Sequence, residues 1–135
     1  MSTPVGDKGA RTELSVVTKM YDYVLWLLPN SAQFSRAHRY TLGTRMENAA
    51  LEALELLVEA GYAHYKRDLL QRANRRLESL RFLMRLAKDL KLISPGSYEF
   101  SARALVEIGS EVGGWIKQQR TSGRGGHNET LQGPL

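Results

Sequence analysis

Residues 65–92 read YKRDLLQRANRRLESLRFLMRLAKDLKL, and this stretch decides the fold. Leu69, Ala73, Leu77, Leu80, Met84 and Ala87 recur every three or four residues. That is the period of one helical face, not the alternation of a strand. Among them stand nine basic residues, Lys66, Arg67, Arg72, Arg75, Arg76, Arg81, Arg85, Lys88 and Lys91, against Asp68, Glu78 and Asp89. The spacing predicts one long amphipathic helix from Tyr65 to Leu92, broken by Ser94-Pro95-Gly96 and carrying a net charge of +6. The whole chain of 135 residues carries +5. An apolar stripe of this length must bury itself against other elements.

Those elements are readable on either side. Val17, Met20, Tyr21, Val24, Leu27 and Leu28 predict a helix from about Glu13 to Leu28, ended by Pro29-Asn30. Leu42, Met46, Ala49, Ala50, Ala53, Leu54 and Leu57 predict a second from about Tyr40 to Ala60, with Gly61 as its C-terminal cap. Tyr98 to Gln119 reads as the last, with Ser97 as its N-cap and Leu105, Val112 and Ile116 on its core stripe. No segment alternates as a strand does, and no internal repeat is present. The expected fold is all-α, an up-down four-helix bundle over residues 13–120. Residues 1–12 and 121–135 are rich in Gly, Pro and small polar residues and are expected to be disordered tails.

Composition narrows the chemistry. With no cysteine, disulfides, thiolate metal sites and cysteine nucleophiles are excluded. No apolar run is long enough for a membrane span, and Met1 to Thr12 lacks the apolar core of a signal peptide. A cytoplasmic protein without a membrane partner is therefore expected. A pI near 9.7 is compatible with a polyanionic partner or with a plain soluble basic surface.

Helix three concentrates that charge. At 100° per residue, Arg67, Arg81, Arg85 and Lys88 fall within about 60° of one another, beside the apolar stripe. Four phosphate contacts from such a stripe imply a salt slope of about −3 to −4. Arg72, Arg75 and Arg76 complete the candidate nucleic-acid-binding set. The competing reading is a solvated face, partly paired with the Glu52, Glu55, Glu59 row of helix two. No zinc-finger, basic-zipper or aromatic strand motif for base readout is present, so binding would address backbone and shape.

Two apolar features exceed the needs of one bundle. Phe82, Leu86 and Leu90 form a second track on helix three, and Trp26 sits on the polar side of helix one near Lys19 and Asp22. They read either as a wide core stripe covered by loops or as a homo-oligomer interface. In helix four, Ala102, Gly109 and Gly113 predict close approach of a neighbouring helix, since glycine is otherwise costly there. Gly113-Gly114 marks a possible bend or early end.

No enzyme and no cofactor are expected. His38, His64 and His127 lack metal-ligand spacing, and His38 in Arg36-Ala37-His38-Arg39 reads as a phosphate contact or a turn residue. No Glu-x-x-His pair marks a di-iron bundle. Gly123-Arg124-Gly125-Gly126 lacks the lysine and spacing of a phosphate loop.

Three segments resemble one family. Leu80-Arg81-Phe82-Leu83-Met84-Arg85-Leu86-Ala87 and Val112-Gly113-Gly114-Trp115-Ile116 are similar to segments of the accessory variability determinant (Avd) proteins of diversity-generating retroelements. Phe34 to Gly43 resembles the same family's lead into helix two, departing at Ser35, where many relatives carry proline. The resemblance spans about Val16 to Lys117. It implies a barrel-shaped homopentamer of four-helix bundles with a basic surface. Such proteins bind the retroelement's reverse transcriptase and support mutagenic retrohoming, in which error-bearing complementary DNA is made from a template RNA. By that resemblance Arg81 and Arg85 face the enzyme or the nucleic acid, while Arg67, Arg75, Arg76 and Lys88 rest on charge alone. Trp26, Phe82, Leu86 and Leu90 become candidates for the oligomer interface. Both arginines also have a structural reading, laying their stems over apolar surface and pairing with helix two.

Two other functions compete. One is a stand-alone RNA-binding bundle, like the related proteins encoded in intervening sequences of bacterial ribosomal RNA genes. The other is a helical scaffold that binds no nucleic acid.

Overall fold

The computed structural model describes the backbone of residues 4–125 and the side chains of residues 13–119. Among the described residues all regular structure is helical. Helix α1 (Pro4–Ser31) is followed by a single turn, α2 (Arg36–His38), and one π-helical turn (Arg39–Gly43). Then come α3 (Thr44–Tyr62), α4 (Arg67–Asp89) and α5 (Pro95–Gly125). The ends of α1 and α5 thus run into the segments expected to be tails, and the remainder of those segments, with His127, lies outside the described residues.

The four long helices pack in a ring, α1 on α3, α3 on α4, α4 on α5 and α5 back on α1. Their directions follow from side-chain register. Ser15 donates to Glu111, Lys19 to Glu107, and Tyr23 meets Ser101, so α5 runs antiparallel to α1. Arg76 reaches Glu52 across α3 and α4, and the Lys88 ammonium lies over the Tyr98 ring across α4 and α5. This is the expected up-down bundle. Helix α3 contributes small buried residues, Ala49, Ala50, Ala53 and Ala60, which lets its neighbours close on it. The volume is filled by Met46 and Leu57 of the same helix and by larger residues of the others, notably Met20, Leu77, Met84, Ile108 and Trp115.

The stripe of α3 matches expectation at Met46, Ala49, Ala50, Ala53 and Leu57, with Leu54 only partly covered and Leu42 buried from the preceding π turn, whereas that of α1 is rotated. Val16 and Tyr23 join Met20, Val24 and Leu27 in the core, and Tyr21 and Leu28 are exposed. On α4 the buried residue is Leu70, with Leu69 only partly covered.

Several boundaries differ from expectation, each for a local reason. Helix α1 passes through Pro29 to Ser31. Proline removes one donor, but the Asn30 side-chain amide donates to the Trp26 carbonyl at 2.7 Å and Ala32 N–H to Leu28 at 3.1 Å, so the last turn holds. The buried Ser31 hydroxyl then bonds the Glu47 carboxylate and ties α1 to α3. Helix α3 begins at Thr44 because Arg39–Gly43 winds as the π turn. Gly61 is not its cap; the Lys66 ammonium donates to the Ala60 and Ala63 carbonyls, both at 2.8 Å, and stops the helix. Ser94, not Ser97, caps α5: its hydroxyl accepts the Ser97 N–H at 3.0 Å, placing Pro95 in the first turn. Helix α5 continues through Gly113-Gly114 without ending. Close approach is also absent: a Cβ at Gly109, Gly113 or Gly114 would meet nothing within 4 Å.

Helix α4 ends in a Schellman motif. Leu92 N–H bonds Ala87 and Lys91 N–H bonds Lys88, both at 2.9 Å. The motif needs a left-handed residue, and Lys91 supplies it at φ 63°. Lys91→Gly is therefore expected to stabilise the fold by about 0.5–1 kcal/mol, read by denaturant unfolding. A loss of stability would mean that the lysine side chain contributes more than its backbone strain costs.

Candidate nucleic-acid interface

Helix α4 holds seven basic residues against three acidic ones, a net of +4 rather than the +6 of the longer predicted span. Lys66 and Lys91 fall outside it, and Lys66 is committed to the end of α3.

Six of the seven fall into two rows, and Arg75 lies between them on the outer face. Arg76 faces α3 and reaches Glu52 at 3.6 Å; Arg72, on that side, pairs within α4 with Asp68 at 3.7 Å. The other row, Arg67, Arg81, Arg85 and Lys88, lies toward α5. Lys88 is placed there by the Tyr98 ring at 4.8 Å, with Asp89 at 3.6 Å. Arg81 pairs with Glu78 at 3.4 Å, one turn back on its own helix. Among the described residues Arg67, Arg75 and Arg85 have no acidic partner within 4.0 Å. The expected pairing with the glutamates of helix two reduces to Arg76 and Glu52, because the α5-side row points away from α3. All these pairs are solvent-exposed and worth at most about 1 kcal/mol each, so phosphate can displace them. From Arg67 to Lys88 the row is about 32 Å long.

The second apolar track lies outside the bundle, with Phe82 61% exposed and Leu86 and Leu90 each 46%. It runs beside the α5-side basic row along the outer face of α4. Trp26 belongs elsewhere. It is half-buried against the neighbouring helix, its ring 4.9 Å from Phe100 on α5 and 5.6 Å from Tyr23. Because α1 and α4 are diagonal in the ring, Trp26 and the α4 track are two separate surfaces.

A groove of about 480 Å³ lies between α1 and α5, lined by Lys19, Asp22, Tyr23, Glu99, Phe100 and Arg103 among others. Of its charged residues, Lys19, Glu99, Arg103 and Glu107 are paired, whereas Asp22 has no basic partner within 4.0 Å among the described residues. Lys19 is hydrogen-bonded to Glu107 and Glu111, which raises its pKa, and Arg103 bonds Glu99 at 2.8 Å. Tyr23 beneath it is pushed well above the usual phenol range by burial, against its bond to Ser101. Among the described residues no group of three or more acidic or histidine side chains converges as a metal site.

Sequence reading missed the link between α3 and α4. Tyr62 is 89% exposed, Tyr65 is 75% exposed, and His64 packs edge-on against Tyr65 at 4.6 Å. The signal was present as Tyr62, His64 and Tyr65 directly before Lys66 and Arg67, but aromatic stacking sought on strands overlooks a helix-to-helix link. His38, half-buried in the basic turn, has Arg39 beside it stacked over Tyr40 at 5.6 Å.

No helix among the described residues is long and apolar enough to cross a membrane. A family model described as bAvd-like matches residues 14–119 of the chain. No curated protein matches it.

Proposed function

This chain belongs to the bAvd-like family, and we propose that it is a non-catalytic accessory subunit of a diversity-generating retroelement. In this reading it works in the cytoplasm, without a cofactor, beside the element's reverse transcriptase. It holds template RNA or complementary DNA on the basic outer face of α4 and so supports mutagenic retrohoming. The observation that carries the nucleic-acid part is the α5-side row of α4. Its four cations span about 32 Å, and Arg67 and Arg85 have no acidic partner among the described residues. Such a row addresses the sugar-phosphate backbone and supplies affinity without sequence specificity.

The assembly we propose is a homopentamer. A ring with an odd number of subunits needs two different surfaces that meet head to tail. We assign that contact to Phe82, Leu86 and Leu90 on the outer side of α4 and, on the diagonal side, to the partly buried Trp26 with the exposed Phe100 beside it.

The test is a titration of structured RNA across salt, with the native mass measured in parallel. The expected log–log slope is about −3 to −4, from four contacts. Co-purification with the reverse transcriptase encoded beside the gene is the second expected result. RNA binding without enzyme capture would favour the stand-alone RNA-binding bundle. Enzyme capture without RNA binding would leave α4 as a protein-docking face.

A further inference from the structure

We propose that the link between α3 and α4 is a base-stacking platform for single-stranded nucleic acid, set at the start of the α4 basic row. This rests on the nucleic-acid part of the function above and adds to it a class of ligand, an unpaired strand.

Three aromatic rings fall within four residues, Tyr62, His64 and Tyr65. Tyrosine gains from burial, yet Tyr62 and Tyr65 are among the most exposed large side chains of the described chain, at 89% and 75%. Isolated exposed rings are ordinary, but a cluster on one short link is not scattered surface. The backbone that carries the rings is held. The Lys66 ammonium bonds the Ala60 and Ala63 carbonyls, and Ala63 N–H bonds Glu59 at 3.0 Å. His64 and Tyr65 pack as a T, with ring centroids 4.6 Å apart, while Tyr62 and Tyr65 stay largely exposed to solvent. Tyr62, the last residue of α3, and Tyr65 are thus presented on a fixed turn rather than a loose one.

The charge continues from this point. Arg67 is two residues past Tyr65, so their backbones lie within about 7 Å, and it has no acidic partner among the described residues. Arg81, Arg85 and Lys88 extend the same row. A strand whose phosphates follow that row arrives at the link with its bases free, and the rings accept them face-on. A duplex keeps its bases paired and has no use for the rings. Stacking of this kind tolerates any base, which matches a surface with no motif for base readout.

The experiment measures binding of labelled oligouridylate and oligothymidylate, and of a duplex of equal length, by fluorescence anisotropy across salt. Tyr62→Ala with Tyr65→Ala is expected to weaken single-strand binding by about 5- to 100-fold. The salt slope should hold, since no phosphate contact is removed, and duplex binding should stay within about twofold. Tyr62→Trp with Tyr65→Trp should retain single-strand affinity, because indole also stacks. Both pairs are exposed, so unchanged helicity is the control. Unchanged single-strand binding in the alanine pair overturns the platform, as does an equal loss on the duplex. A wild-type protein that binds duplex but not single strands overturns the platform and leaves the α4 row standing. No binding of any nucleic acid overturns both.

Discussion

Replacing Trp115 with alanine is expected to remove about 3–5 kcal/mol of stability, a large part of what a domain of this size possesses. The indole is 1% exposed and is among the largest fully buried side chains in the described core. It also follows Gly113-Gly114, two positions that each cost about 1 kcal/mol of helix propensity. Since nothing lies within 4 Å of where their Cβ atoms would be, no packing at those glycines offsets the cost. The later turns of α5 therefore depend on Val112 and Trp115, buried on its inner face. Trp115→Ala should lower the denaturant midpoint, and amide exchange should show α5 beyond Ile108 opening before the other helices. Trp115→Phe should cost less. A loss below about 1 kcal/mol would mean that the site collapses readily and that α5 is held elsewhere. The motif around Trp115 that carries the family resemblance is thus, at this residue, a packing motif.

Reversing three charges on α4 should have the largest effect on binding. Arg67→Glu, Arg81→Glu and Arg85→Glu each change the charge by two, which takes α4 from +4 to −2. Three lost phosphate contacts reduce the magnitude of the salt slope by about 3 and weaken nucleic-acid binding about a hundredfold or more near physiological salt. Stability should scarcely move. All three side chains are exposed, and the one ion pair sacrificed, Arg81 with Glu78, is worth at most about 1 kcal/mol. Arg76→Glu is the contrasting change. It faces Glu52 and should perturb the α3–α4 contact more than it perturbs binding. Equal affinity in the well-folded triple variant would remove the α5-side row from the function. The measurement is the same salt titration, with helicity and native mass as controls.

The class of the fold was legible in the order of the residues because helix formation and facing depend on spacing alone. The stripe of α3, the long basic helix and the outward position of Phe82, Leu86 and Leu90 all follow from a 3.6-residue period. The charge polarity was legible for the same reason, since counting along one helix requires no knowledge of its neighbours. Partnership between elements was not. The sequence left open whether Arg81 and Arg85 meet the glutamates of α3 or face outward, and only the tertiary arrangement decides which side of α4 faces α3 and which faces α5. That arrangement gives Glu52 to Arg76 and leaves Arg85 without an acid among the described residues. Trp26 looked like a surface residue until α5 brought Phe100 against it. The glycines of α5 looked like close contacts, and the packed bundle leaves open space over them. The stops at Lys66 and Lys91 and the start at Ser94 likewise depend on where the chain turns back, because a cap is a hydrogen bond between particular atoms and not a property of spacing. Periodicity is local and survives in the sequence; pairing across helices depends on rotation and axial offset, which are fixed when the core closes around Met20, Met84 and Trp115.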